Sequence, residues 1–460
     1  MNPVSRAFGR MSSGLRDLCA AAWASPRMEP LARRYREDPG EFFHEGLFWA
    51  FWLSLASFPI GYGMREVMPV VCLLFQIGYY KHAWHRSVLS RFTAWPLFFC
   101  LWGMILIGIV FSNDPYRSLL HAGTGINKAY ILPFIAMECV RDLKDLRRLV
   151  MACVVACFWE GLDGVWQTVT GKDFIMGYSP RATRLTGSIG DYSVGNYIAM
   201  AMIPAFGLWF VLRRRLSWGL TLFCWITALW PAFFLLIGAR ARSGVLAVAV
   251  ALGIWATLLQ WKRLPKAIVL LPLVTVIFLG LFYLAKPEAL APATVADDSR
   301  WNLWDIGWKV FSEHPWFGSG AGQYNPTFRA MGLIPTKDDI TISHPHNLYL
   351  DMLYAHGIVG FTLGMTFLLG MIMWGWRRIA PHIAIEGGDP NAREYWLLAT
   401  CFWIAFVCWL VNGIFGHDFY RIWWLALSMS HLGVMIGAVV NGSRPGMRFD
   451  AEGRLAVPVG

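Results

Sequence analysis

Apolar runs of about 17–25 residues, the length that spans a bilayer as a helix, recur along almost the whole chain and leave few folds open to it. They fall near residues 46–62, 65–80, 94–111, 120–137, 149–170, 195–212, 216–238, 243–261, 266–285, 347–376, 395–416 and 421–440. With 56% hydrophobic residues, 25 Trp and 31 Phe in 460 residues, the apolar surface exceeds what a water-soluble domain can bury. Inside hydrocarbon each backbone group needs a partner, and a helix supplies its own. The expected fold is an all-α polytopic membrane protein of about twelve transmembrane helices, with a large loop carrying short helices.

Charge sets an orientation. If the N-terminus is cytoplasmic, 26 of the 40 Lys and Arg lie on that side, and every segment there is basic, as the positive-inside rule requires. The net charge of +11 is then topology and contact with anionic lipid, so no nucleic-acid partner is expected. The division that follows is a cytoplasmic basic tail at 1–45, helices one to nine over 46–285, and a large outer loop at 286–346. Helices ten to twelve occupy 347–440, and a cytoplasmic tail occupies 441–460. The first 45 residues lack the continuous apolar run of a secretory signal. The nine cysteines include no Cys-x-x-Cys pair and none falls in the long outer loops, so neither a disulfide nor a thiolate metal site is expected.

The exceptions to the charge rule are informative. Outer segments carry Arg181 and Arg184, then Arg240 and Arg242 in the tight turn Gly238-Ala-Arg-Ala-Arg-Ser-Gly244, then Arg300 in the long loop. A planar guanidinium fork at headgroup level suits a phosphate or diphosphate. Snorkelling to lipid phosphates is the plainer reading of any one of them; three separate segments shift the balance toward a bound anion. Asp297-Asp298-Ser299 offers helix caps, and Trp301, Trp304, Trp308 and Phe311 then recur at three and four residues. That spacing gives a short amphipathic helix whose aromatic face either lies on the bilayer or covers the core. Gly318-Ser-Gly320-Ala-Gly322 allows close backbone approach and lacks the flanking residues of a nucleotide loop.

The loop ends in His344-Pro345-His346-Asn347, followed after nine residues by Gly357-Ile-Val-Gly360. Pro345 keeps the two histidines off one helical face. An imidazole at that surface can serve as general base to a hydroxyl, or simply be an interfacial histidine. No His-x-x-x-His accompanies it, so no metal is expected.

These features together resemble the O-antigen ligase and polymerase superfamily of bacterial envelope glycosyltransferases. The resemblance runs through His346-Asn347 and Gly357-x-x-Gly360, a preceding loop holding Arg300, Trp304, Pro315 and Gly318-x-Gly320, and the turn from Arg240 to Gly244. It implies a multi-pass protein of the bacterial inner membrane with both termini cytoplasmic and the site facing the periplasm. It also implies transfer of O-antigen glycan from an undecaprenyl diphosphate donor to a lipid A–core acceptor, without cofactor, metal or nucleotide. His346 would be the base, with His344 as a second candidate. Arg300 and Arg240 or Arg242 would bind the diphosphate, joined by Arg184 and Arg181; Asn347, Gly357 and Gly360 are structural.

The chemistry is consistent with that. Diphosphate is a good leaving group, so the demand is for stabilised negative charge, and single displacement inverts the anomeric carbon. The chain has no Asp-x-Asp, which argues against a metal-chelating nucleotide-sugar enzyme. An O-antigen polymerase and a protein O-oligosaccharyltransferase share the loop. A transporter or flippase of a lipid-linked anion is the alternative from another class. It would place ionisable residues near the midplane, whereas the charges here gather at the outer rim, with Glu160, Asp163 and Lys128 the main exceptions.

Overall fold

A computed structural model describes residues 29–181, 184–191, 193–259, 276, 280, 300–333, 344–383, 389–415, 419–444, 448–450 and 455–456. The described chain is overwhelmingly helical: α1 (Glu29–Glu37), α2 (Pro39–Ser57), α3 (Tyr62–Ala83), α4 (Leu97–Val110), α5 (Pro115–Glu138), α6 (Leu143–Thr170), α7 (Val194–Ala205), α8 (Leu208–Arg213), α9 (Trp218–Gly238), α10 (Arg242–Leu259), α11 (Arg300–Glu313), α12 (Tyr324–Ala330), α13 (Leu348–Ile383), α14 (Pro390–Gly413) and α15 (Ile422–Gly442). A two-residue strand pair near the C-terminus, Arg448–Phe449 with Leu455–Ala456, is the exception.

Eleven of the twelve apolar runs coincide with these helices; the ninth, 266–285, lies almost wholly outside the described residues. Among the described residues, six helices are long and apolar enough to cross a membrane: Leu143–Thr170, Val194–Arg213, Trp218–Gly238, Leu348–Ile383, Pro390–Gly413 and Trp424–Gly442. Shorter apolar helices, among them Leu97–Val110, stand beside them. The first long helix starts at Pro39, seven residues before the first apolar run, and ends at Ser57 within it. Its start is written in the sequence. Asp38 caps it through the Glu41 amide at 3.0 Å with Pro39 in the first turn, and Asp114-Pro115 and Asp389-Pro390 begin α5 and α14 likewise. Aspartate accepts an amide the helix cannot pair, and proline has none to lose.

α14 and α15 form the centre, and the apolar window of α15 is entirely buried. α15 lies against α5 so closely that a Cβ on Gly433 would stand 2.4 Å from the Pro133 carbonyl oxygen. Small residues permit such contact where no hydrophobic effect drives helices together. Near the end of the bundle where α14 begins, buried Glu394 takes two hydrogen bonds from Arg147, at 2.6 and 2.7 Å, and a third from Arg214 at 2.9 Å. That tie joins α6, α14 and the turn after α8.

At the other end the segment 314–322 is threaded into a break in α13. Gly357, at φ 62° and ψ −171°, interrupts the helix, and the polar groups freed there are taken up by the loop. Ile358 N–H donates to the Pro315 carbonyl at 2.8 Å and Val359 N–H to that of Trp316 at 3.2 Å. In return Ser319 and Gly320 N–H donate to the carbonyls of Tyr354 and Ala355 at 2.8 and 3.1 Å. The loop continues past the end of α4, where Ala321 N–H donates to Gly108 at 3.1 Å. Gly318 and Gly320 have φ 75° and 107°, and a Cβ on Gly320 would overlap Ser112; the glycines serve close approach. Non-helical backbone at membrane depth is tolerated where protein satisfies it in this way.

Candidate functional site

Four separate pieces of chain meet at the end of the bundle where α7, α10 and α15 begin. The first is the loop after α6. Gln167 donates to the Tyr178 carbonyl and Thr186 hydroxyl at 2.9 and 3.0 Å and accepts the Thr186 and Gly187 amides at 2.9 and 3.2 Å. Glu160 holds the Ser188 hydroxyl at 2.5 Å, and Asp163 the Phe174 amide at 2.5 Å. The two membrane-depth carboxylates noted in the sequence thus fasten this loop, and neither lines the cavity described below. So fastened, the loop presents Arg184, and Leu185 N–H donates to the Gly238 carbonyl at 3.2 Å.

That bond leads to the second piece, the turn from α9 to α10. Arg240 takes φ 52°, which lets the chain reverse within three residues, and Arg242 opens α10. Ser243 Oγ donates to Asn196 Oδ1 at 2.9 Å, locking α10 to α7.

The third piece is the long loop. α11 buries Leu303, Ile306, Gly307 and Val310, with a Cβ on Gly307 reaching Leu350 at 2.7 Å and Pro345 at 3.5 Å. Its aromatic face divides. Trp304 stacks on Phe415 at 5.5 Å, while Trp301 and Trp308 are 48% and 56% exposed. Arg300 stands at the helix start; its expected caps at 297–299 lie outside the described residues. Pro345 packs beneath, His344 is buried, and the two imidazoles lie 4.2 Å apart at 58°. His346 takes φ 54°, which turns the chain before Asn347 Oδ1 caps α13 through the amides of Tyr349 and Leu350 at 3.0 and 2.9 Å.

The fourth piece was not singled out in the sequence. Arg421, at the start of α15, donates to Asp191 at 3.2 Å and Ser193 at 3.3 Å.

Together they enclose a cavity of about 210 Å³ lined by Arg184, Asp191, Ser193, Asn196, Arg240, Ala241, Arg242, Ser243, Arg300, His346, Arg421 and Trp424. Five guanidinium groups face one carboxylate. Of the expected site residues, Arg184, Arg240, Arg242, Arg300 and His346 are brought together, whereas Arg181 and His344 stay out of the lining. Arg181 pairs with Arg184 through backbone bonds of 3.0 and 2.9 Å and remains exposed. Asn347, Gly357 and Gly360 lie outside the cavity and shape α13. The signal that could have found Arg421 is the same that found the others: a cation at the outer end of an apolar run.

Among the described residues only Arg240 and His346 combine a side chain with positive φ, and both line this cavity. Such a conformation costs about 1–3 kcal/mol and persists where the surroundings impose it. Also among the described residues, no three His, Cys, Asp or Glu side chains converge as a metal-ligand set.

Residues 227–365 match the family model described as O-antigen ligase. That stretch contains Arg240, Arg242, Arg300 and His346, and stops short of Arg421. The chain is also similar to a protein named O-antigen ligase from Pseudomonas aeruginosa, with 27% identity over 181 residues, 36% of this chain and 42% of that one. The match thus spans less than half of that relative's length.

Proposed function

We propose, for a chain whose residues 227–365 match the O-antigen ligase family model, an inverting glycosyltransferase of the bacterial inner membrane. It moves O-antigen polysaccharide from undecaprenyl diphosphate to lipid A–core during lipopolysaccharide assembly, at a site facing the periplasm, with twelve spans and both termini cytoplasmic. The observation that carries this reading is the convergence of five arginines and one strained histidine on a single cavity at one end of the helices.

In this reading Arg184, Arg240, Arg242, Arg300 and Arg421 bind the donor diphosphate. Guanidinium forks match its oxygens in pairs, and their attraction is strong where water is scarce. His346 accepts the proton of the acceptor hydroxyl as that oxygen bonds to the anomeric carbon. The bond from that carbon to the diphosphate breaks with its electron pair leaving on phosphate, and the arginines stabilise that charge as it forms. The proton then passes from His346 to water. Attack from the face opposite the diphosphate inverts the sugar centre. Asp191 holds the Arg421 guanidinium in place. No metal is required, because fixed cations supply the charge.

Purified protein mixed with an undecaprenyl diphosphate glycan and lipid A–core, without metal or nucleotide, tests this. Glycan on lipid A–core supports the ligase. Growth of the glycan on its carrier instead would make the protein a polymerase, and no product with either acceptor would leave the transferase reading without support.

A further inference from the structure

A second cavity lies at the opposite end of the bundle. α15 begins beside the first cavity, at Arg421 and Trp424, and ends at Gly442. Its 21 residues at about 1.5 Å each cover roughly the thickness of a bilayer's hydrocarbon core. Just past its end is a space of about 550 Å³ whose lining includes Arg86, Arg91, Arg141, Glu138, Asn441 and Arg444.

Most of the charge there is already matched. Arg86 pairs with Asp38 at 2.8 Å and Arg141 with Glu41 at 2.5 Å. Glu138 is occupied by the amides of Val88 and Leu89, at 2.8 and 3.0 Å, and by the Tyr80 hydroxyl at 2.9 Å. Asp142 spends an oxygen capping α6 through the Asp145 amide at 3.0 Å. Arg91 and Arg444 are different. Both donate to the same neutral oxygen, Asn441 Oδ1, at 3.0 and 2.7 Å. Among the described residues neither makes a carboxylate ion pair, and the enclosed Arg91 Nη1 and Arg444 Nε reach no acceptor. Two like charges side by side, partly withdrawn from water, are costly unless an anion joins them.

We propose that this cavity is a second anion site, which takes the phosphate of a cytoplasmic-leaflet lipid between Arg91 and Arg444. A phosphodiester oxygen fits where two forks already converge, and the cavity's place at the helix ends sets it at headgroup depth. The site is independent of the transferase reading, because it shares no lining residue with the first cavity.

The test is thermal stabilisation of the full-length protein in detergent by dioctanoyl phosphatidylglycerol, with dioctanoyl phosphatidylcholine and inorganic phosphate as comparisons. Hydrogen exchange of residues 84–92 and 440–444 is followed in parallel. Expected are saturable stabilisation by the anionic lipid, protection of those two segments, and affinity at least tenfold weaker in Arg91→Gln and Arg444→Gln. Inorganic phosphate acting equally well, with the same dependence on both arginines, would uphold the anion site and assign it to the free ion. Unchanged affinity in both variants, or loss only in Arg242→Gln, would overturn the proposal. Should a variant fail to fold, absence of protection at 84–92 in the wild-type protein would overturn it as well.

Discussion

Replacing Gly357 with alanine should expel the segment that follows α11, the helix that carries Arg300. A Cβ there would stand 2.3 Å from the carbonyl carbon and oxygen of Trp316, against about 3.5–4.0 Å for ordinary contact. At φ 62° and ψ −171°, a region essentially reserved for glycine, the new side chain also carries about 1–3 kcal/mol of backbone strain. If Trp316 retreats, the bonds from Ile358 and Val359 to Pro315 and Trp316 are lost, and each amide left unpaired away from water costs about 1–3 kcal/mol. The alternative is a helical φ at residue 357, which returns those two amides to the carbonyls of Tyr354 and Ala355, four residues back. Those carbonyls now accept Ser319 and Gly320, so straightening α13 displaces segment 315–320. A net bias of ~3 kcal/mol, or about a hundredfold in the docked population, follows on either route. Hydrogen exchange of residues 316–322 in purified Gly357→Ala should be at least about tenfold faster than in the wild type, with transfer reduced in parallel. Gly370→Ala is the control, since its Cβ meets only Leu97 methyls at 3.1 Å within a regular helix. Wild-type exchange at 316–322 in Gly357→Ala would refute the docked-loop account.

His346→Ala should lower transfer by about 10²–10⁴-fold, the usual worth of a general base, while the protein is recovered from membranes in wild-type amount; a well-expressed variant of full activity would remove the base assignment. His344→Ala should lose less, because His344 is buried outside the cavity lining, and equal losses in the two variants would return the question of the base to both. Arg242→Lys keeps the charge and loses the fork, so donor binding should weaken about tenfold, read as a raised KM with smaller change in kcat; an unaltered KM would make Arg242 a lipid-facing anchor. Gln167→Leu removes four hydrogen bonds from the loop that presents Arg184. At about 1 kcal/mol each that should open residues 173–188 to protease, and an equally resistant loop would contradict the fastening role. Transfer in excess chelator should match the untreated enzyme, and recovery only on adding a divalent ion would end the metal-free mechanism.

The sequence by itself determined that the chain is helical and membrane-spanning, because apolar run length follows directly from bilayer thickness. It also marked several helix starts, since the Asp-Pro pairs at 38, 114 and 389 act through their own backbone and need no distant partner. The arginines at the helix ends expected to face outward and the histidine before α13 were legible too, as charges where composition alone would not put them. Tertiary structure decided which of these meet. Arg181 and Arg184 are three residues apart and bonded to each other through their backbones, yet only Arg184 lines the cavity, because the three further segments that complete it come from distant parts of the chain. Glu160 and Asp163 stood out in the sequence only as ionisable residues near the midplane and proved to be fasteners, since their partners come from a loop whose path no local pattern encodes. Arg421 joins Arg184 and Arg240 although more than 170 residues of chain separate them. The physical reason is common to all three: local propensity fixes a helix residue by residue, whereas a site is fixed by which helix ends pack together, and that is a property of the whole bundle.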